Sequence, residues 1–119
     1  MAHSDIPSTA PIAQIHDYPS LFHQVRMRPG MWFGEKSLSR FEAFLAGISC
    51  SEYFYRVADD RCLAGFDFEA FQNWANPQFN PDRLSINTFG MAQRHSDSDE
   101  LAFDTWFSWV DRFLSETET

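Results

Sequence analysis

Cysteine is scarce in this chain. Cys50 and Cys62 are the two present, neither belongs to a C-x-x-C pair, and neither has a histidine at ligand spacing. Structural zinc needs four Cys or His ligands at characteristic intervals, so a zinc-stabilised fold is excluded. Free, largely buried thiols in a reducing cytosol are expected, and the spacing also tolerates a Cys50 to Cys62 disulfide. Positive charge is scarce too. Nine Lys and Arg face seventeen Asp and Glu, the net charge is -8, and the densest basic stretch is Arg26 to Arg28 with a methionine between. Binding of nucleic acid through counterion release needs a clustered positive surface, so direct nucleic-acid contact is not expected. Long apolar runs are missing, since none approaches the length of about 20 residues that spans a bilayer. The opening MAHSDIPSTAPIAQ has neither the basic nor the continuous apolar region of a secretory signal. The expectation is a soluble, cytoplasmic protein with no membrane partner.

What the chain has in quantity is aromatic side chains: 13 Phe, 4 Trp and 3 Tyr among 119 residues. Their burial supplies much of the drive for collapse, and the length fits one domain. Residues 1–15 mix Ser, Thr, Pro and Ala without a period and read as a flexible lead-in, leaving 16–119 as a single helical domain. Tyr18-Pro19-Ser20 opens a first short helix through Leu21, Phe22 and Val25, which Pro29 is expected to stop.

From Ser37 onward Leu38, Phe41, Leu45 and Ile48, with Phe44, follow helical spacing as far as Val57 or Ala58. Ser37 is one cap for this helix, and Ser39 with Glu42 offers an alternative capping box. Gly47 within it invites the close approach of another helix. A turn follows at Asp59-Asp60-Arg61. Asp67 then leads a third helix through Phe68, Phe71, Trp74 and Ala75, closed by Asn76 and Pro77. Leu84, Ile86 and Phe89 alternate in the manner of a strand, so 84–94 is either a short helix or an irregular segment. Phe103, Trp106, Phe107, Val110, Phe113 and Leu114 make the broad face of a final helix, for which Ser96 is the expected cap. The fold class expected is all-α, a compact bundle of four to five helices.

The most motif-like stretch is Arg28-Pro29-Gly30-Met31-Trp32-Phe33-Gly34. Pro29 fixes its own backbone and biases Arg28 toward extended structure, while Gly30 and Gly34 admit positive φ. The bland reading is a tight connector anchoring two helices. The sharper one exposes Arg28 and Trp32 as a recognition patch. Burial of Trp32 separates the two.

The string is similar to the RPGMYIG segment of bacterial type II topoisomerase ATPase regions. The next helix, SRFEAFLAGISCSEYF, lacks the E-x-x-D-N pattern that such an ATPase requires. The chain more closely resembles small bacterial proteins of the immunity class, encoded beside polymorphic toxins and contact-dependent growth-inhibition systems. In these, RPGM[YW]-x-G precedes an S-L-x-x-F helix, matched here by Ser37, Leu38, Phe41, Phe44 and Gly47. An acidic lead into an aromatic C-terminal helix is also shared, with Ser96 to Glu100 ahead of Phe103, Phe107 and Phe113. The resemblance implies stoichiometric binding and neutralisation of a cognate protein toxin, with no catalytic residue, metal or cofactor. A basic nuclease domain suits the acidic composition.

Histidines give no relay: His3, His16, His23 and His95 lie apart from any Ser or Cys arrangement, and Pro19 breaks the register between His16 and His23. The carboxylates are more suggestive. Asp59 and Asp60, and a stripe carrying Asp97, Asp99, Glu100, Asp104, Asp111, Glu116 and Glu118 against Arg112 alone, are the candidate toxin-binding residues. Opposed charge of this kind raises association rate and excludes wrong partners. A second reading is a non-enzymatic adaptor or regulatory module that self-associates through exposed aromatics. A third, a small enzyme, requires a buried cleft that sets His23 or His95 beside a carboxylate.

Overall fold

The computed structural model describes residues 14–117, so the expected lead-in lies almost wholly outside the described residues, as do His3 and Glu118. Six α-helices and a short 3-10 turn make up the regular structure, with no strand among the described residues. The chain is all-α, as its periodicity indicates.

Helix α1, Tyr18–Met27, starts at a reciprocal cap. Asp17 accepts a hydrogen bond from the Ser20 amide at 2.9 Å, and Ser20 Oγ accepts from the Asp17 amide at 3.1 Å. Side-chain and backbone hydrogen bonds from Ser20 hold the Asp17 carboxyl below its ordinary range. The Tyr18 amide also donates to the Ala64 carbonyl at 2.8 Å, tying the helix start to a later loop. Gly65 turns that loop at φ +96°, and a Cβ there would sit 2.9 Å from Pro19 Cδ. Only glycine satisfies both conditions.

The first helix stops before Pro29 as expected, and the proline then starts a new one. α1 ends at Met27, and a five-residue helix α2, Pro29–Phe33, begins with the proline in its first position, where its missing N–H is no loss. Arg28 joins the two helices at φ -141° and ψ 63°, outside both the helical and the extended regions, and Gly34 closes α2 at φ +81° with its amide on the Gly30 carbonyl. Gly30, expected to share the positive-φ role, is an ordinary helical residue. The motif is therefore a single turn of helix between α1 and α3.

Helix α3, Leu38–Phe54, is capped by Ser37, whose Oγ accepts from the Arg40 amide at 3.1 Å. It ends a turn earlier than its apolar pattern suggests, because Arg56 takes a left-handed conformation at φ +52°. The Ser39–Glu42 capping box does not form. Ser39 donates from its amide and hydroxyl to Asp99, and Glu42 instead accepts from Asn87. Asp59–Arg61 form the 3-10 turn.

Helix α4, Phe68–Phe79, runs through Pro77 rather than ending there. Close to the helix end the proline forfeits one backbone bond, and the extra turn lets Phe79 stack flat on Trp109 at 3.9 Å. Asn80 then binds Asn76 and both the amide and carbonyl of Leu84, which closes the loop. The alternating segment resolves into a loop and helix α5, Thr88–Arg94, capped by Asn87. Helix α6, Asp99–Thr117, begins after Ser98, whose Oγ accepts from the Leu101 amide. Ser96, the expected cap, binds Thr105 through its hydroxyl instead.

The core is aromatic. Phe22, Phe41, Phe71, Phe103, Trp106, Phe107 and Phe113 are all buried, with Leu21, Val25, Leu38, Met91 and Val110 between them. Trp106 lies wholly inside, stacks on Phe89 at 4.8 Å, and donates its indole N–H to buried Thr88 Oγ1 at 2.9 Å. One carboxylate joins two helix starts: Asp99 accepts from the hydroxyls of Ser37 and Ser39 and from the Ser39 amide, at the head of α3. Burial pushes its carboxyl up, but these bonds outweigh that effect and hold it below the ordinary value.

Two predictions follow from these joints. Thr88→Val should leave the Trp106 N–H buried without an acceptor and cost about 1–3 kcal/mol in urea unfolding. Asp99→Asn should destabilise by a similar order, about 1–3 kcal/mol, at neutral pH. Because the folded Asp99 carboxyl is depressed, its contribution is present above the ordinary carboxylate value and is lost as pH falls through the lower folded value. The gap between wild type and Asp99→Asn should therefore close on acidification.

Candidate interaction surface

Helix α3 has a core side and a side that none of the other described residues covers. Leu38, Phe41 and Leu45 are buried, with Phe44 and Ile48 packed against the core edge. On the opposite side Ala43, Ala46, Gly47, Cys50, Ser51 and Phe54 are exposed. A Cβ added at Gly47 would meet nothing within 4 Å. The close helix approach expected at this glycine does not occur among the described residues, where Gly47 faces outward.

The surface peaks at the C-terminal end of α3. Tyr53, Phe54 and Tyr55 are 80%, 75% and 82% exposed, an uncommon concentration of aromatic area on a chain of this size. The segment after them folds back on the helix. Val57 donates its amide to the Glu52 carbonyl, and the Glu52 carboxylate accepts from the Leu63 amide at 2.8 Å. This fold-back sets Asp59 beside Tyr53, Phe54 and Arg56 in one open groove that Cys62 also lines. A second, more apolar groove runs along Phe44, Gly47, Ile48, Ser51 and Tyr55. Cys50 and Cys62 are free, and Cys50 is exposed rather than buried as expected. Burial pushes the Cys62 thiol up, and Glu52, Asp59 and Asp60 push it the same way.

The predicted acidic residues divide by environment. Asp59 and Asp60 are exposed in the 3-10 turn beside the aromatic tip, and Asp97 and Glu100 are exposed around the start of α6. Asp99 is occupied by Ser37 and Ser39. Asp104 pairs with Lys36 at 3.2 Å, and Asp111 is held by Arg26 through two bonds of 2.9 Å. Glu116 accepts from the Trp74 indole at 2.8 Å and lies 3.8 Å from Arg112. The stripe along α6 is thus not opposed by Arg112 alone. Tertiary folding brings Arg26 from α1 and Lys36 from the α2–α3 connection onto it.

The motif residues sort in the same way. Trp32 is half-buried on Phe44 at 5.8 Å, and Phe33 meets Phe41 and Phe44. Arg40 donates to the Phe33 carbonyl, latching α2 onto α3. Arg28 and Met31 are exposed. Half the motif thus packs on α3 and half faces outward, and the indole N–H of Trp32 is shielded without an acceptor among the described residues.

His23 lies in an open groove with Arg26 and Asp111, whose carboxylate is already held by the arginine. His95 is exposed, with Nε2 2.9 Å from the Phe79 carbonyl. Among the described residues no group of three or more His, Cys, Asp or Glu is placed to hold a metal ion, and no helix is long and apolar enough to cross a membrane.

Sequence reasoning missed the outer face of α3 by treating its apolar pattern as core alone. The available signal was the run from Ala43 to Ser51, nine residues without a charge on a helix only one side of which meets the core. No family model, curated protein or solved structure matches this chain.

Exposed aromatics contribute little to folding, so Tyr53→Ser and Phe54→Ser should each change unfolding free energy by no more than about 0.5 kcal/mol. A maleimide titration should modify Cys50 well before Cys62. Trp32→Phe should be neutral or stabilising by up to about 1 kcal/mol, since it removes an unpaired donor and keeps the ring contact. Thermal denaturation of that variant measures it.

Proposed function

We propose that this chain works by stoichiometric protein association, as an immunity-type protein that binds and neutralises a cognate bacterial toxin domain. The observation that carries the reading is the aromatic tip of α3, where Tyr53, Phe54 and Tyr55 stand out of the fold beside Asp59 and Asp60. Aromatic anchors ringed by charge are the anatomy of a protein-binding site. The neutralising role rests on the resemblance of the RPGMWFG segment and the following helix to immunity proteins. An acidic chain of net charge -8 favours encounter with a basic partner, such as a nuclease domain, in the cytoplasm.

We weight the acids by whether they already have a partner. Asp99 is held by Ser37 and Ser39, and Asp104 and Asp111 pair with Lys36 and Arg26. Asp59, Asp60, Asp97 and Glu100 are exposed and remain candidates for toxin contact. A non-enzymatic adaptor is the second reading, favoured by the uncharged outer face of α3, which suits association with no electrostatic preference.

The test is protection of cells that express the toxin encoded beside this chain. The combination Asp59→Lys, Asp60→Lys and Phe54→Ser should abolish protection while leaving the helical circular dichroism spectrum and melting temperature unchanged. Full protection by that folded variant would sink the proposed surface. Failure of the wild-type chain to protect would sink the immunity reading.

A further inference from the structure

We propose that residues 57–63 form a strap that opens and closes as one unit, latched shut by Glu52. Both ends of the strap are pinned to this one residue of α3. Its backbone carbonyl accepts from the Val57 amide at 2.9 Å, and its carboxylate accepts from the Leu63 amide at 2.8 Å. Between the pins the strap bonds to itself. Arg61 donates its amide to the Ala58 carbonyl at 2.8 Å, and the Cys62 thiol donates to the Val57 carbonyl at 3.7 Å. A segment closed on itself and pinned at its two ends is built to move as a body.

Burial does little to hold it. No residue from Tyr55 to Gly65 is buried, and Leu63 packs only partly against the core, whereas Phe66 just beyond meets Phe22, Phe71 and Phe113. Segments with few buried contacts and exposed hydrogen bonds open at free energies well below that of global unfolding. The two flanks differ. On one side Arg56 sits at φ +52°, a left-handed conformation that strains a residue with a side chain and that opening can relieve. On the other side Ala64 accepts from the Tyr18 amide at 2.8 Å and Gly65 lies against Pro19, which anchors this end to the start of α1. The strap therefore turns about Arg56. The latch sits where α1, α3 and the strap meet, since burial, and after it the charge of Glu52, push up both the Tyr18 phenol and the Cys62 thiol.

The strap carries Asp59 and Asp60 on its 3-10 turn. Opening takes Asp59 out of the groove that it shares with Tyr53 and Phe54. A partner that grips the acids and the aromatic tip together binds the closed state and holds it shut. That consequence rests on the proposed toxin-binding surface, whereas the opening is a property of the free chain.

Amide hydrogen exchange of the purified full chain, followed by NMR with no partner present, tests the strap. Val57 and Leu63 should share one protection factor, far below that of Trp106 in the core. Glu52→Ala removes only the acceptor of Leu63 and leaves the carbonyl that Val57 uses. It should nevertheless lower the protection of both by the same factor, about tenfold for one lost hydrogen bond. Tyr18, anchored on Ala64, and Trp106 should keep their wild-type protection. Glu52→Gln, which retains an acceptor oxygen, should fall between the two chains. Loss of protection at Leu63 alone overturns the single unit, and Val57 and Leu63 protected as fully as Trp106 overturn the opening itself. Should Glu52→Ala disturb Trp106 as well, Glu52→Gln decides by the same comparison of Val57 with Leu63. Protection of cells from a toxin does not enter these rates, so the strap and the toxin reading fail separately.

Discussion

Phe41 is the point on which the helices converge. Its ring, carried by α3, meets Phe22 of α1, Phe33 of α2, Phe89 of α5 and Phe103, Trp106 and Phe107 of α6, at centroid separations from 5.3 to 6.3 Å. Trp106 extends the cluster edge-on to Phe71 of α4. Most of these pairs are tilted or edge-to-face, the arrangement that ring quadrupoles favour, and each adds about 0.5–1.5 kcal/mol beyond its buried area. Such contacts are directional, so they fix the angles between helices as well as their distances. They also explain how α2 and α5 persist, since helices of five and seven residues have no independent stability in water.

Around this centre the polar residues act at the joints. Asp17 with Ser20 starts α1, Asp99 with Ser37 and Ser39 fixes the start of α3 against that of α6, and Asn80 closes the turn after α4. Arg26, on Asp111, lies over the Phe107 ring at 5.0 Å, and Arg112 lies over Trp74 at 5.5 Å. The exposed wall of the aromatic core is therefore covered by cations whose charge is partly taken by neighbouring acids. Part of the excess negative charge is engaged in local architecture, and Asp59, Asp60, Asp97 and Glu100 remain on the surface near the two ends of α3.

The fold was largely legible because aromatic periodicity is dense and unambiguous. Phe103, Trp106, Phe107, Val110 and Phe113 face inward as their spacing requires, and Ser37 caps the helix it precedes. Proline misled at one place: Pro29 ends the first helix as expected, but Pro77, which also reads locally as a stop, is carried through by the stacking of Phe79 on Trp109, a contact between distant parts of the chain. Leu84, Ile86 and Phe89 imitated a strand because a loop feeding a short helix can bury residues at the same spacing. The candidate site was less legible. Counting charge along α6 could not reveal that Lys36 and Arg26 arrive from elsewhere, and the apolar pattern of α3 gave no sign of which residues lack a neighbour.

The exposed side of α3 separates two kinds of substitution. Substitutions at Ala43, Gly47, Cys50 or Phe54 touch no core ring, whereas changes at Leu38, Phe41 or Leu45 on the same helix disturb the centre of the molecule. One helix thus carries an inner sequence whose changes register in stability and an outer sequence whose changes leave the packed rings undisturbed.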